Sequence, residues 1–548
     1  MPRWRFVKQI NDNTAAVASI EDVAGCTARA DAQVRSVLQG VMAQRRSAAT
    51  AFDYVAALSP AARANCWSLA ESAGHEGWGR MQALLSSYRW DWTGLRAELP
   101  GLAVAWVPDV DGDLIGPGIA IDETAQLKHG DATACVAPQH AGCTGQVENC
   151  VTTVFCAYVT AAGQAWADFD VYMPERWAGD LARRQDAGIP DDLPFATKPQ
   201  LAMNQLGRLA AAGMPARWIA FDEVYGRSEE LRKKAAKAGL AYVAIIPCDY
   251  QVTLPSGAVI RAGEAVKDAV FERRSCGNGS KGPRFSDWAM TATATGGQHL
   301  LIRRLISRPD QYTFYLCWAP PGTPATMTYF ITIAGRRWPV EETFKTGKDV
   351  LGWDQSQARG WAAINRHTAL SALAQLRAAA IRNALCGAIQ LPDTAPGTSD
   401  GNGGHASTAA TDDDQISDAD LRIPVSDAPV PARGGLPCPP GLGPIRLSIA
   451  ETARLTLLAG QYATGLITRA RLAFALRWSL RRRLHQAIAR WHHYSARLLP
   501  PAQGSQQRPE SRSRNVTLTR RDWQPLPAGG ELISARNGDA VSTATSPR

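Results

Sequence analysis

The sequence predicts an α/β protein: a mixed sheet flanked by helices, with a β-rich insertion and helical N- and C-terminal regions. Two observations carry that prediction. Between residues 109 and 247, apolar runs of strand length alternate with helix-length periodic segments, as in an α/β sheet. On either side, before 108 and after 442, apolar residues recur at helical spacing. At 548 residues the chain exceeds one typical core, so several domains are expected.

Residues 1–108 read as a helical N-terminal region. Ala62, Cys66, Leu69, Met81, Leu84, Leu85 and Leu95 recur at three-to-four spacing, and Pro60 after Ser59 suits a first helical turn. Trp78, Trp90 and Trp92 are expected to pack helices together rather than to form a stacking platform. Residues 109–247 form the first part of the core. Gly118–Asp122 is an apolar run ending in an acid, and Val151–Thr160 pairs with Ala165–Met173 across the turn Ala161-Ala162-Gly163. Helices follow over Arg176–Asp186 and Gln200–Ala212. The strand Trp218–Phe221 ends at Asp222, and helix Glu229–Ala238 leads to strand Ala241–Pro247.

Residues 248–335 lose the helical period and read as the β-rich insertion, with strands at His299–Ile306 and Tyr312–Trp318. Residues 336–391 hold a helix starting near Pro339 and the end of the core. Residues 392–441 are rich in Pro, Gly, Ser, Thr and Asp, a composition that reads as a flexible linker. Residues 442–500 form a basic helical region, and 501–548 a disordered tail.

Apolar residues make up 45% and charged residues 20%, ordinary values for a soluble globular protein. No apolar run approaches the ~18–20 residues of a membrane helix, and no apolar stretch follows Met-Pro-Arg-Trp-Arg-Phe at the N-terminus. The expected compartment is therefore the cytoplasm. The 11 cysteines include no Cys-x-x-Cys pair. The spacing of Cys135, Cys143, Cys150 and Cys156 fits neither a zinc site nor a disulfide framework, so buried thiols are expected. The net charge of +9 suggests a polyanionic partner. From Arg469 to Arg497 there are eight arginines and three histidines without an acid, the footprint of phosphate contact. Arg481, Arg482 and Arg483 lie at its centre, with Trp478, Trp491 and Tyr494 interleaved. The plain alternative is a solvated basic helix packed through its Leu and Ala face.

Asp122 and Asp222 each end an apolar run and are each followed by a second acid, Glu123 and Glu223. Two carboxylates at one edge of a sheet repel, and a divalent cation relieves the repulsion. The plain alternative is a pair of N-cap or turn aspartates. A third acid, Glu341, stands seven residues before Lys348 and four after Arg337. On an ideal helix Glu341 and Lys348 fall within ~20° of one another. Pro339 makes a turn before Glu341 the alternative position for Arg337. An acid between two cations suits phosphate chemistry, the acid for metal and the cations for backbone oxygens.

In combination these segments resemble the insertion-sequence DDE transposases, the branch with an RNase H-like core and a Tyr-x2-Arg-x3-Glu-x6-Lys signature. The likeness rests on Ala120–Thr124 with Lys128-His129-Gly130, Gly142–Cys150, Ala196–Pro199, Phe221–Gly226 and Arg337–Lys348. Leu351–Asp354, Gly360-Trp361 and Arg366-His367 extend it, so that it covers about Ser59 to Leu385. Ala334 stands where the signature has its tyrosine, so a hairpin-forming cleavage step is not carried over.

The resemblance implies that Asp122, Asp222 and Glu341 are the catalytic, metal-binding triad. Arg337, Lys348 and Lys128, with Arg481, Arg482 and Arg483 of the basic segment, would contact DNA phosphate. It implies two Mg²⁺ (or Mn²⁺) ions, cleavage at the terminal inverted repeats of a mobile element, and strand transfer into target DNA. A homodimer in the synaptic complex and a nucleoid-associated bacterial setting come with it. His140, His299 and His367 are isolated and read as structural. Two rivals are a domesticated, non-catalytic DNA-binding protein and a metal-dependent DNA nuclease without strand transfer. A small-molecule phosphohydrolase is disfavoured by the basic C-terminal segment.

Overall fold

The computed structural model describes residues 20–58, 64–279, 282–392 and 445–498. Ser59, Pro60 and Ala62, nearly all of the expected linker 392–441, and the tail 501–548 lie outside the described residues.

Strands β1 (Gly118–Leu127), β2 (Ala137–Ala141), β3 (Gln146–Val159), β4 (Gln164–Val171), β5 (Trp218–Phe221) and β6 (Ala241–Ile246) build one half of a large sheet. Two short strands, β7 (Gln251–Thr253) and β8 (Val259–Arg261), pair only with each other. Strands β9 (Glu272–Gly279), β10 (Gly282–Ala292), β11 (Gln298–Arg304) and β12 (Tyr312–Trp318) build the other half. The sheet has ten strands in the order β2-β3-β1-β5-β6-β12-β11-β10-β9, with β4 on β3. β1, β5 and β6 are parallel and the other pairings antiparallel. This α/β architecture, a mixed sheet flanked by helices, is consistent with an RNase H-like fold.

Two sequence expectations change. The strands of the 248–335 segment do not stand apart as an insertion but continue the sheet, β12 pairing antiparallel to β6 through Phe314↔Ile246 to Trp318↔Tyr242. An apolar strand such as β6 leaves unpaired backbone at an open edge, and β12 covers it. The second change concerns β1, expected to stop at Asp122. It runs on to Leu127 because the fourteen-residue β3 pairs with it along its whole length, from Gly118↔Val159 to Leu127↔Cys150. Only the parallel ladder to β5 stops early, at Ile121↔Phe221.

Helix Trp361–Leu385 is the axis of the packing, with 23 of its 25 residues buried. It lies against β4 and against the helices Ile20–Val41, Arg45–Ala57, Gly79–Ser86 and Trp92–Trp106. A helix covered on all sides has no polar face, and this one is rich in Ala and Leu around its whole circumference. The N-terminal helices thus share one core with the sheet. The boundaries expected at 108, 247 and 335 are changes of element type within one compact unit. An aromatic cluster joins the layers: Phe155 stacks on Trp166 at 4.4 Å and meets Trp353 and Phe344 at 5.5 and 5.7 Å.

The expected helix Arg176–Asp186 is two short ones, Glu175–Ala178 and Leu181–Asp186, separated at Gly179-Asp180, where Asp180 caps the second. Of the tryptophans expected in the core, Trp90 is buried and donates to the Leu84 carbonyl, and Trp92 leans on Phe169. Trp78 is instead exposed. Cys135, Cys150 and Cys156 are buried free thiols, whereas Cys143 is exposed. Burial pushes the Cys135 thiol up to about 12, where it is inert.

His367 is fully enclosed in the central helix, its Nδ1 2.9 Å from the Tyr54 hydroxyl and its Nε2 2.8 Å from the Trp353 carbonyl. Burial pushes its pKa down from 6.5 to about 4. The unfolded chain therefore binds this proton more tightly than the folded one. Stability present above about pH 6.5 is lost as the pH falls toward 4, by up to ~1.4 kcal/mol per unit. Thermal melts of the parent and of His367→Gln from pH 7 to 4 should show the parent losing stability more steeply on acidification. Parallel curves would remove His367 from the acid response.

Candidate active site

Where the parallel ladder between β1 and β5 ends, the next residue on each strand is an aspartate. Asp122 follows Ile121 and Asp222 follows Phe221, so adjacent strands place the two acids side by side. β5 stops there because Asp222 turns the chain: its Oδ1 accepts from the amides of Val224 (3.0 Å) and Tyr225 (3.3 Å), capping the short helix Glu223–Gly226. The N-cap reading of Asp222 and its place beside Asp122 hold together.

Both carboxyls are strained electrostatically. Asp122 is pushed up to about 7, first by burial and next by Asp222, with Arg337 opposing and Glu123 adding to the rise. Asp222 is pushed up to about 6 by burial and then Glu123, against the Tyr225 amide, Arg337 and the Val224 amide. Glu123 is itself held by Lys198 (Nζ to Oε1, 2.7 Å) and by the Tyr225 hydroxyl, which donates to Oε2 at 2.5 Å. Lys198 and Tyr225 lie inside the quoted segments Ala196–Pro199 and Phe221–Gly226, but their roles were missed. They act on a glutamate 75 and 102 residues away, a contact that local spacing does not encode.

Glu341 reaches the pair through Arg337. The guanidinium donates to Asp122 Oδ2 at 3.0 Å and to Glu341 Oε1 at 2.9 Å. Arg337 is not on a turn: it ends helix Met327–Arg337, and Trp338 keeps helical angles into helix Pro339–Lys345, so an i,i+4 ion pair forms. The adjacent Glu342 faces elsewhere and accepts from Gln164 of β4 at 3.3 Å. Among the described residues, no three His, Cys, Asp or Glu side chains converge tightly enough to hold an ion. The Arg337 guanidinium lies between Asp122 and Glu341.

The other expected basic residues divide. Lys348 lies in a π-helical turn, Thr346–Val350, so the regular helix that would align it with Glu341 is interrupted, and its ammonium donates to the Ala125 carbonyl of β1 at 2.9 Å. Lys128 is not brought to the acids. It lies six residues beyond Asp122 on an extended strand, about 20 Å along the chain, and donates to the Ser356 carbonyl at 2.6 Å. Burial lowers its pKa to about 8.

In helix Arg469–Leu498, Arg483 is buried and bonded to the Ile445 carbonyl, so it does not face a ligand as expected. Arg482 pairs with Glu451 at 2.6 Å. The side chain of Arg481, and Tyr494, lie outside the described side chains. Trp491 is buried, and Trp478 is exposed beside Phe474. Leu472, Leu476 and Ala487 pack inward, so one face of this basic helix belongs to the core.

Comparison with protein families finds two overlapping matches. Residues 36–287 match a family described as DDE superfamily endonuclease, a span holding Asp122 and Asp222. Residues 199–376 match the transposase DDE domain, a span holding Asp222 and Glu341. Comparison with curated proteins gives no match. No described helix is long and apolar enough to cross a membrane.

Proposed function

We propose, from the matches to a DDE superfamily endonuclease over residues 36–287 and to a transposase DDE domain over residues 199–376, that this chain cuts DNA at the ends of a mobile element and joins them to target DNA in a divalent-metal-dependent reaction. The observation that carries this reading is the side-by-side pair Asp122 and Asp222 at the end of the parallel ladder, both pushed above the usual carboxylate range. Two desolvated acids, Asp122 crowded by Asp222 and Asp222 by Glu123, fit a divalent cation, which would restore both to the ionised form. Asp122 and Asp222 would hold Mg²⁺ or Mn²⁺, with Glu341 joining when Arg337 releases it. Bound there, two such ions would supply Lewis-acid activation of water or a 3′-hydroxyl and would stabilise the leaving oxygen.

The protein's own groups do the remaining work. Tyr225 and Lys198 hold Glu123, and Glu123 in turn acts on Asp222. The Val224 and Tyr225 amides fix the Asp222 rotamer. Arg337, always charged, pairs with carboxylates until a phosphate arrives, and its fork of donors suits phosphate oxygens equally. Lys348, held on the Ala125 carbonyl of β1, is a second cation that could turn to phosphate. Pairing of two ends by a homodimer fits the reading.

The test separates the two adjacent glutamates. With Mg²⁺ and a DNA carrying the element ends, Glu341→Gln should lose cleavage at least ~100-fold, while Glu342→Gln stays within a few-fold of the parent. Joined donor–target product from the parent separates a transposase from a nuclease that only cuts. Equal loss in both glutamate variants would dissolve the assignment of Glu341.

A further inference from the structure

Most described tryptophans are turned inward, but Trp67 and Trp78 are 67% and 37% exposed. They lean on each other with ring centroids 5.4 Å apart and planes 33° from parallel. Helix ends hold them there rather than core packing. Asn65 caps helix Cys66–Ser72 by accepting from the Trp67 and Ser68 amides, each at 3.0 Å, and the Trp78 carbonyl accepts from the Gln82 amide as helix Gly79–Ser86 begins. Leaving two indoles in water forfeits the burial that most of the chain's other tryptophans use for stability.

The pair borders a cavity of about 730 Å³, walled on the far side by helix Leu181–Asp186 and the loop before helix Trp361–Leu385. That volume is in the range of small-ligand sites. Exposed carboxamides of Gln82, Gln185 and Gln357 and the exposed Arg359 guanidinium line it. Among the described residues, Asp186 is the one acid in the lining and balances Arg359. The described wall therefore offers flat aromatic faces and paired donor–acceptor edges, its one acid matched by one guanidinium.

We infer that this cavity takes an unpaired DNA base, stacked on the outer face of the Trp67–Trp78 pair with its edge read by the glutamines. The choice of DNA rests on the proposed function; the site itself is separate from the acid cluster. Stacking on an aromatic side chain contributes ~1–3 kcal/mol per base and needs no particular sequence. Carboxamides suit base edges because they present a donor and an acceptor together. A balanced wall makes this contribution insensitive to salt, unlike contacts to phosphate.

The experiment is fluorescence binding of a short single-stranded oligonucleotide containing 2-aminopurine to the full chain in EDTA, so that cleavage plays no part. The parent should quench the probe. Trp67→Ala with Trp78→Ala should lose the quenching and bind about tenfold more weakly, with the salt dependence and duplex binding unchanged. Trp67→Phe should restore most of the affinity, as a face for stacking returns. Wild-type binding and quenching by the double variant would overturn the inference, as would an equal loss of duplex binding. Trp67 is 67% exposed, so Trp67→Ala alone should melt with the parent, and its loss of quenching separates base stacking from any unfolding caused by truncating the more covered Trp78. Failure of the acid-site reading would appear only in cleavage assays and leave this measurement intact.

Discussion

An Asp122→Asn protein should melt a few degrees above the parent in metal-free buffer at pH 8, and should cleave DNA at background. The Asp122 carboxylate is nearly enclosed, with 15% of its side chain exposed, and its pKa is raised from 3.8 to about 7. A carboxyl raised in the folded state contributes stability that is complete below its unfolded pKa and is lost as the pH rises through the folded value. For Asp122 the loss accumulates from about pH 4 to about pH 7. At up to ~1.4 kcal/mol per unit, and with the Arg337 pairing given up by the variant, a net gain of about 2 kcal/mol is expected from the neutral side chain. Melting curves between pH 4 and 8 check the sign: the variant's advantage should grow with pH. An advantage that shrank as the pH rose would show that Arg337, and not burial together with Asp222, dominates at Asp122. Stability gained where activity is lost is the mark of a site strained for a function.

Gly226→Ala is expected to destabilise the protein by about 3 kcal/mol or more and to abolish cleavage. A Cβ on Gly226 would lie 1.9 Å from the Ile245 carbonyl oxygen and 2.9 Å from its carbon. That backbone cannot yield, because β6 is paired on one side with β5 and on the other with β12, where Ile245 faces Tyr315. The turn must lift instead, and with it go the Gly226 amide on the Asp222 carbonyl (2.7 Å), the Asp222 cap and the Tyr225 contact to Glu123. The Arg232 guanidinium, which donates to the Gly226 carbonyl, is displaced too. Gly207→Ala is the control: it lies inside helix Lys198–Ala211, and the nearest atom to its Cβ is the end of a lysine at 3.6 Å. It should be neutral or stabilising, since Ala is the better helix former. Urea melts of both read the difference, and a Gly226→Ala protein as stable as the parent would contradict the packing described.

Much of this was legible in the sequence because local pattern fixes it. The strands β3, β4, β5 and β6 announce themselves by β-branched and aromatic runs, and the two aspartates by ending apolar runs. Beyond the β3–β4 hairpin, what pairs with what was not legible. Nothing near Tyr312–Trp318 says that it closes the β6 edge, and nothing near Asp122 says that β3 extends β1 by five more residues. Helix Trp361–Leu385 gives little amphipathic signal because it is buried on all sides. Lys348 was placed on an ideal helix, and the π-helical turn departs from that geometry. Lys128 was drawn to the site by its motif, while the extended strand carries it away.

Asp122 and Asp222 are proposed to form a metal-dependent DNA-cleaving centre. Its most direct test is cleavage of DNA bearing the element ends, with Mg²⁺ and with EDTA, by the parent and by Asp122→Asn. Cleavage is expected from the parent with Mg²⁺ only, and none from the variant even though it melts higher. Cleavage by Asp122→Asn at the parent's rate, or parent cleavage undiminished in EDTA, would contradict it.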